Sequence, residues 1–155
     1  MMKIEQIAIG TVDPQKLMDA LDAAGITKTW THDVVVAEGE VFGVKSTNKA
    51  ELHFNYDLGF ELEILKYQEG ANWHLRRSPT DGSNFLSHMG LHVEKEEMLK
   101  IKADMAAAGI GIAQEVYTSS HENPVIKGKR KYHYVVFDSK DSLGFDLKLI
   151  ERIYE

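Results

Sequence analysis

The sequence predicts an α+β fold in which two tandem βαβββ units form curved mixed sheets around a shared cavity. Three observations predict it. Glycine-terminated helical segments recur 84 residues apart, at Gly25-Ile26 and Gly109-Ile110. The segment Gly59-Phe60-Glu61-Leu62-Glu63-Ile64-Leu65 matches Gly144-Phe145-Asp146-Leu147-Lys148-Leu149-Ile150 at an offset of 85. Short, largely apolar strands open both halves, and Gln6 and His88 stand 82 residues apart in them. Offsets held within 82 to 85 mark a repeated unit. A small sheet with one helix leaves one face open, so two copies side by side can enclose a cavity.

In chain order, Gln6-Ile7-Ala8-Ile9 has the short apolar run of a buried strand. Asp13-Pro14 follows, a carboxylate able to cap a helix with Pro at the first helical position. Leu17, Leu21 and Ala24 fall on one helical face, and Gly25 stops the helix. Apolar runs follow near Val34–Ala37 and Val41–Val44, then Glu51–Tyr56 and, after the turn Asp57-Leu58-Gly59, the strand Phe60–Tyr67. The stretches 38–50 and 68–87 read as loops that can line a cavity entrance.

The second half repeats this order. His88–Val93 is a strand, and Glu94–Ala108 a helix with acids in its first turn that suit the helix dipole. Met98, Ile101, Met105 and Ala108 form its apolar face. Lys131–Phe137 and Phe145–Ile150 are strands. One domain over residues 1–155 is expected, with units at 3–67 and 87–153 joined by a linker at 68–86 that holds Gly70, Pro79, Asp81 and Gly82.

Bulk properties narrow the function. With no cysteine, disulfides and thiolate metal sites are excluded. A formal net charge of −6 argues against nucleic-acid binding. No run approaches the roughly 20 apolar residues of a membrane helix, and the start lacks a signal-peptide pattern. A cytoplasmic protein that binds neither membrane nor nucleic acid is the expectation. The basic run Lys127-Gly128-Lys129-Arg130-Lys131 reads as a solvated turn, with an anion-steering rim as the alternative. No phosphate loop, Gly-x-Ser-x-Gly elbow or His-Glu-x-x-His motif is present.

This arrangement resembles the vicinal oxygen chelate superfamily, the glyoxalase, bleomycin-resistance and dioxygenase group. The resemblance rests on His88-Met89-Gly90-Leu91-His92-Val93, the Ala-Ala-Gly-Ile helix ends and the Gly-Phe-acid-Leu final strands, and runs from about Lys3 to Ile153. It implies a divalent metal held by the first and last strands of each unit, which chelates neighbouring substrate oxygens. Those positions fall on Gln6, Glu63, His88 and Lys148. The resemblance thus implies Gln6, Glu63 and His88 as metal ligands. Lys148 departs from the pattern, because metal-binding members usually carry Glu there and an ammonium cannot ligate.

The residues themselves leave alternatives open. A neutral amide oxygen, a carboxylate and an imidazole suit Zn, Ni, Mn or Fe(II), with water completing an open site. His88 can equally be a structural histidine, and alternation puts Glu61 and Glu63 on one face that is either cavity or solvent. Lys148 either pairs with Glu63 in a metal-free site, or binds a substrate anion or moves a proton beside a metal. His53 and His133, on corresponding third strands, are candidates to contact substrate or to serve as a replacement ligand, with packing at the sheet surface as the alternative; His133 and Lys148 are the candidate catalytic residues. His92 and Glu61 join His53 as candidate substrate-binding residues, since His92 shares a face with His88. Tyr132 and Tyr134, on the strand face opposite His133, read as core or interface packing. Trp73 with Arg76 and Arg77 reads as surface packing, or as a cover that attracts an anion. His32, His74 and His121 read as exposed loop residues. Three functions follow: a glyoxalase-type lyase or isomerase, a metal-free drug-sequestering binder of the same fold, and a ring-cleaving dioxygenase, which Lys148 disfavours. The resemblance also brings a small-molecule ligand and a homodimer as expected partners.

Overall fold

Apolar alternation along the chain makes eight strands, and their pairing closes a barrel. The computed structural model describes residues 2–120 and 130–153. The first unit is β1 (Gln6–Gly10), α1 (Pro14–Ala23), β2 (Thr31–Val41), β3 (Val44–Asn55) and β4 (Glu61–Glu69). The second is β5 (Phe85–His92), α2 (Lys95–Ala107), β6 (Ile112–Ser120), β7 (Arg130–Phe137) and, after the short α3 (Lys140–Leu143), β8 (Asp146–Arg152). The order around the barrel is β1-β4-β3-β2-β6-β7-β8-β5. In each unit the first strand runs parallel to the last, and the remaining pairs are antiparallel. The units meet at two antiparallel seams, β1 against β5 and β2 against β6. The fold is therefore α+β, with two βαβββ units curved around a shared interior.

The helices lie where the punctuation puts them. The Asp13 side chain accepts from the Lys16 amide at 3.1 Å, and Pro14 opens α1. Asp13→Ala removes that cap, and thermal denaturation should register a loss of about 1 kcal/mol. Glu94 and Glu97 form a reciprocal capping box on α2. Both helices end at glycines with positive φ, Gly25 at 74° and Gly109 at 77°. On α1 the residue most deeply buried within the helical turns is Met18, beside the face expected from Leu17 and Leu21. On α2, Met98, Ile101 and Met105 pack on Val135, Phe137 and Leu149, so the helix covers the outer face of the second sheet. Ala108 is the exposed C-cap of α2 rather than part of that face.

The largest departure from the sequence reading is residues 38–50. They are no loop. β2 and β3 form one long hairpin, paired from Thr31↔Phe54 to Val41↔Val44 around the turn Phe42-Gly43. Both turn residues have positive φ, at 47° and 77°, which suits the right-handed twist of a tight hairpin. The polar run Ser46–Lys49 hides a strand because one face of this hairpin meets solvent. β6 is likewise a strand that the apolar pattern does not single out. Among the described residues no helix is long and apolar enough to cross a membrane.

The linker is packed rather than superficial. Trp73 is 2% exposed and clusters with Ala113 and Val136. Arg77 donates to Asp146 at 2.8 Å and also to Asp138, which fastens the linker to β8 and the turn before it. Arg76 lies over the Phe42 ring at 3.6 Å. Arg77 is thus a tether whose carboxylate partners are already engaged, and it does not wait for an anion. His121 and residues 127–129 of the basic run lie outside the described residues, as do the side chains of His74, Arg130 and Lys131.

Candidate functional site

The inner faces of the barrel strands enclose a cavity of about 290 Å³. Alternation on β4 points Glu61, Glu63, Leu65 and Tyr67 into it, and β8 contributes Lys148, Ile150 and Arg152. β1 and β5 supply Gln6, His88 and His92. Tyr132, Tyr134 and Trp73 line it as well, so the two tyrosines are cavity walls rather than core or interface packing, and Trp73 belongs to the cavity rather than to the surface.

At its floor the two units meet through one hydrogen-bonded chain. Ser87 Oγ contacts His88 Nδ1 at 2.7 Å, His88 Nε2 contacts Gln6 Oε1 at 2.9 Å, and Gln6 Nε2 donates to Glu63 Oε2 at 2.9 Å. His88 Nε2 stands 3.9 Å from Glu63 Oε1. An ionised carboxylate only accepts, so the Gln6 amide nitrogen faces Glu63 and its oxygen faces His88. His88 Nε2 then carries the proton, and Nδ1 accepts from the Ser87 hydroxyl. Gln6, Glu63 and His88 are all buried.

Two backbone features build this floor. At the β1–β5 seam, Ala8 pairs with His88 and Ile9 with Leu86, which leaves Ser87 as the extra residue of a bulge beside His88. Gly90 pairs with Gln6, and a Cβ at Gly90 would stand 3.0 Å from Gln6 Oε1. The missing side chain is the space that the Gln6 amide uses.

Lys148 is buried, with its Nζ 4.3 Å from the centre of the Tyr134 ring. Burial pushes the Glu63 carboxyl up, the Lys148 ammonium works against that, and Glu61 adds to it. Burial also raises the Tyr67 and Tyr134 hydroxyls, so both remain neutral donors. Nearer the mouth, His92 Nε2 lies 3.7 Å from Glu61 Oε2. Tyr56, also in the lining, is pushed up to about 12, chiefly by burial.

Of the residues singled out from sequence, Gln6, Glu63, His88, Lys148, Glu61 and His92 come together in the cavity. His53 and His133 do not. Leu52 and Phe54 take the inner face of β3, and Tyr132 and Tyr134 that of β7, which turns both histidines outward. His53 contacts Glu51 at 2.7 Å, while His133 is held between Glu151 at 2.9 Å and Glu115 at 3.0 Å. Being adjacent to a last strand does not fix which face a side chain takes. Only the register does. Ser87 and the tyrosine walls were not singled out as site residues, and the bulge that aims Ser87 leaves no mark in composition.

The floor can be tested against a divalent cation. Three donors of different strands converge there: a neutral oxygen, a carboxylate and an imidazole nitrogen. His88 Nε2 lies 2.9 Å from Gln6 Oε1 and 3.9 Å from Glu63 Oε1, separations of the size found between ligands of one ion. The Ser87 hydroxyl can accept as well as donate, so it can steady either His88 tautomer, including the one that frees Nε2 to ligate. The donor set fits a three-ligand open site, with the Lys148 ammonium in the same cavity.

The barrel of paired βαβββ units is the vicinal oxygen chelate fold. A hypothetical protein of Bacillus halodurans C-125 is similar, with a TM-score of 0.59 and 10% identity over 99% of this chain and 96% of its own. Methylmalonyl-CoA epimerase from Mycobacterium tuberculosis superposes with a TM-score of 0.55 and 11% identity, over 97% of this chain and 88% of that one. A variant of 4-hydroxymandelate synthase from Streptomyces coelicolor gives 0.54 and 9% identity, over 99% of this chain and 50% of the synthase. At these identities the likeness is one of fold. No protein-family model and no curated protein matches the sequence.

Proposed function

We propose that the protein is a glyoxalase-type lyase or isomerase acting on a small substrate with neighbouring oxygens. The observation that carries this reading is the convergence of Gln6, Glu63 and His88, from three strands and both units, at the floor of a closed-walled cavity. These three would hold a divalent cation of the Zn, Ni, Mn or Fe(II) kind. Such a cation, when bound, polarises a carbonyl and stabilises an enolate-like anion.

The chain's own groups supply the rest. Lys148 offers an ammonium to an anionic oxygen of the substrate, from a place where water is scarce and the charge counts for more. Tyr134 and Tyr67 keep their protons and can donate to substrate oxygens. Trp73, Leu65 and Ile150 exclude water. Glu61, His92 and Arg152 stand nearer the mouth, where they orient the remainder of the ligand.

A second reading, a metal-free binding protein, is favoured by one observation. The floor satisfies its own hydrogen bonds, and Lys148 already lies in the field of Glu63. Lys148→Met separates the two readings. With a cation held on the three ligands, loss of the nearby positive charge tightens Ni(II) or Mn(II) binding by about tenfold, a change of roughly 1.4 kcal/mol that is modest for like charges in a partly buried site. In the metal-free reading the variant strips Glu63 of its counter-charge, lowers thermal stability at neutral pH and binds no cation more tightly. Calorimetric titration of chelator-stripped, tag-free protein gives the answer.

A further inference from the structure

The outer face of the β2–β3 hairpin carries a cluster away from the cavity floor, of which only His32 also borders the cavity. His32 and His53 are register partners across the hairpin, and Glu51 lies two residues from His53 on the same face. The ring centres of the two histidines are 4.7 Å apart, and His53 Nε2 stands 2.7 Å from Glu51 Oε1. One ligand atom from each of the three residues lies within 4.8 Å of the other two. We propose that this cluster is a second cation site, distinct from the cavity floor, for an imidazole-preferring divalent metal of the zinc, nickel or copper class.

The donor set decides the class. Two imidazoles and one carboxylate give three protein ligands and leave a position for water, the composition of an open zinc site. Magnesium and calcium prefer all-oxygen shells and are poorly served by it. Zinc takes nitrogen at about 2.0–2.1 Å and carboxylate oxygen at about 2.0–2.2 Å, which places ligands a little over 3 Å apart. The Glu51–His53 pair is already that close. His32 is exposed at the start of β2, so a turn of its side chain closes the remaining distance without moving the backbone. Hydrogen bonding to His53 holds the Glu51 carboxyl below its ordinary range despite partial burial, so the anionic ligand is in place at neutral pH. Lys66 faces Glu51 across β3 and β4 and is the opposing charge that limits affinity.

The second unit shows what the same position looks like when packing is the whole role. There Tyr117 stacks on His133 with ring centres 4.6 Å apart and an interplanar angle of 13°. Both nitrogens of His133 are held by carboxylates, and Lys102 sits on Glu115 at 2.7 Å. A tyrosine suffices for that contact. The first unit has a second imidazole in place of the phenol, inclined at 44° rather than stacked.

The test uses tag-free, chelator-stripped full chain carrying Glu63→Gln, so that no cation sits at the floor, and Zn(II) as the probe. One Zn(II) per chain is expected, with shifts confined to the ring nitrogens of His32 and His53 in histidine-selective NMR spectra. His32→Tyr, which copies the pair of the second unit at an exposed position, should leave the circular dichroism spectrum unchanged and weaken Zn(II) binding by at least about tenfold. His53→Gln should do the same. Should His53→Gln not fold, His32→Tyr decides alone. The proposal is overturned if the Glu63→Gln protein takes up no Zn(II), or if His32→Tyr binds it as tightly as its parent. The same titrations in the wild-type background keep this outcome separate from that at the floor, where Glu63→Gln removes a different ion.

Discussion

Glu63→Gln is expected to lower the number of divalent cations bound per chain by one and to weaken what residual floor binding remains by at least about 100-fold. Changing an outer-shell partner already costs 10–100-fold in metal affinity, and Glu63 is the one carboxylate among the three floor ligands. The substitution is nearly isosteric, and the new amide oxygen can still accept from Gln6 Nε2, so the wall of the barrel is kept. Dialysis against Ni(II) or Mn(II) followed by elemental analysis measures the difference. The same variant makes a second, opposite statement about stability in chelator. Burial raises the folded-state pKa of Glu63 above its unfolded value, so the native protein holds this proton more tightly than the unfolded chain. The stability it contributes is full below the unfolded carboxylate pKa and is lost as pH rises through the folded pKa. At neutral pH the metal-free wild type therefore bears the cost of a buried charge, and Glu63→Gln should melt at a higher temperature. At acid pH the two melting curves should converge. A lower melting temperature for the variant at pH 7 in chelator would mean that the pairing of Glu63 with Lys148 outweighs the burial.

Gly39→Ala is expected to remove about 3 kcal/mol, the upper end of ordinary overpacking, because the atoms that would have to move are backbone. A Cβ at Gly39 would press into the Glu115 carbonyl oxygen and stand 2.8 Å from Val116 Cα. Gly39 pairs with Val116 in the β2–β6 seam, one of the two lines along which the units are joined. For a chain of this size such a loss corresponds to a fall in melting temperature of about 6–12 °C. Gly25→Ala is the control. It has positive φ but nothing within 4 Å of the new Cβ, so only the left-handed backbone opposes it, at about 1 kcal/mol. If Gly39→Ala is no more destabilising than Gly25→Ala, the seam is looser than its geometry indicates.

The seam also explains how far the sequence could be read. The repeat of Gly25-Ile26 in Gly109-Ile110 is identical, and that of Gly59–Leu65 in Gly144–Ile150 keeps the Gly-Phe-acid-Leu start and the aliphatic end, so the two units and their helices are legible. Alternation put Glu61, Glu63 and Lys148 on one face and left open whether that face was cavity or solvent. Closure of the barrel, which depends on pairing between distant strands, makes it cavity. His53 and His133, readable as cavity or sheet-surface residues, are decided by the same closure and lie outside the cavity lining. Their strands were placed correctly, but a one-residue difference in register exchanges inner and outer faces. Ser87 owes its position to a bulge against β1, and Trp73 to a linker that folds back onto β6 and β7. Neither leaves a periodic trace. The polar hairpin through Ser46–Lys49 was hidden because its outer face meets water, and the cluster of His32, Glu51 and His53 lies on that face.

The central claim is that Gln6, Glu63 and His88 hold one cation between the two units. Anomalous diffraction from crystals soaked in Mn(II) or Ni(II), recorded at the metal absorption edge, tests it most directly. The account predicts a peak at the cavity floor about 2.0–2.2 Å from Gln6 Oε1, Glu63 carboxylate oxygen and His88 Nε2, with Lys148 turned toward the open side. A floor without a peak, in which Lys148 Nζ is hydrogen-bonded to Glu63 and His88 Nε2 still points at Gln6, would contradict it and leave a metal-free binding protein.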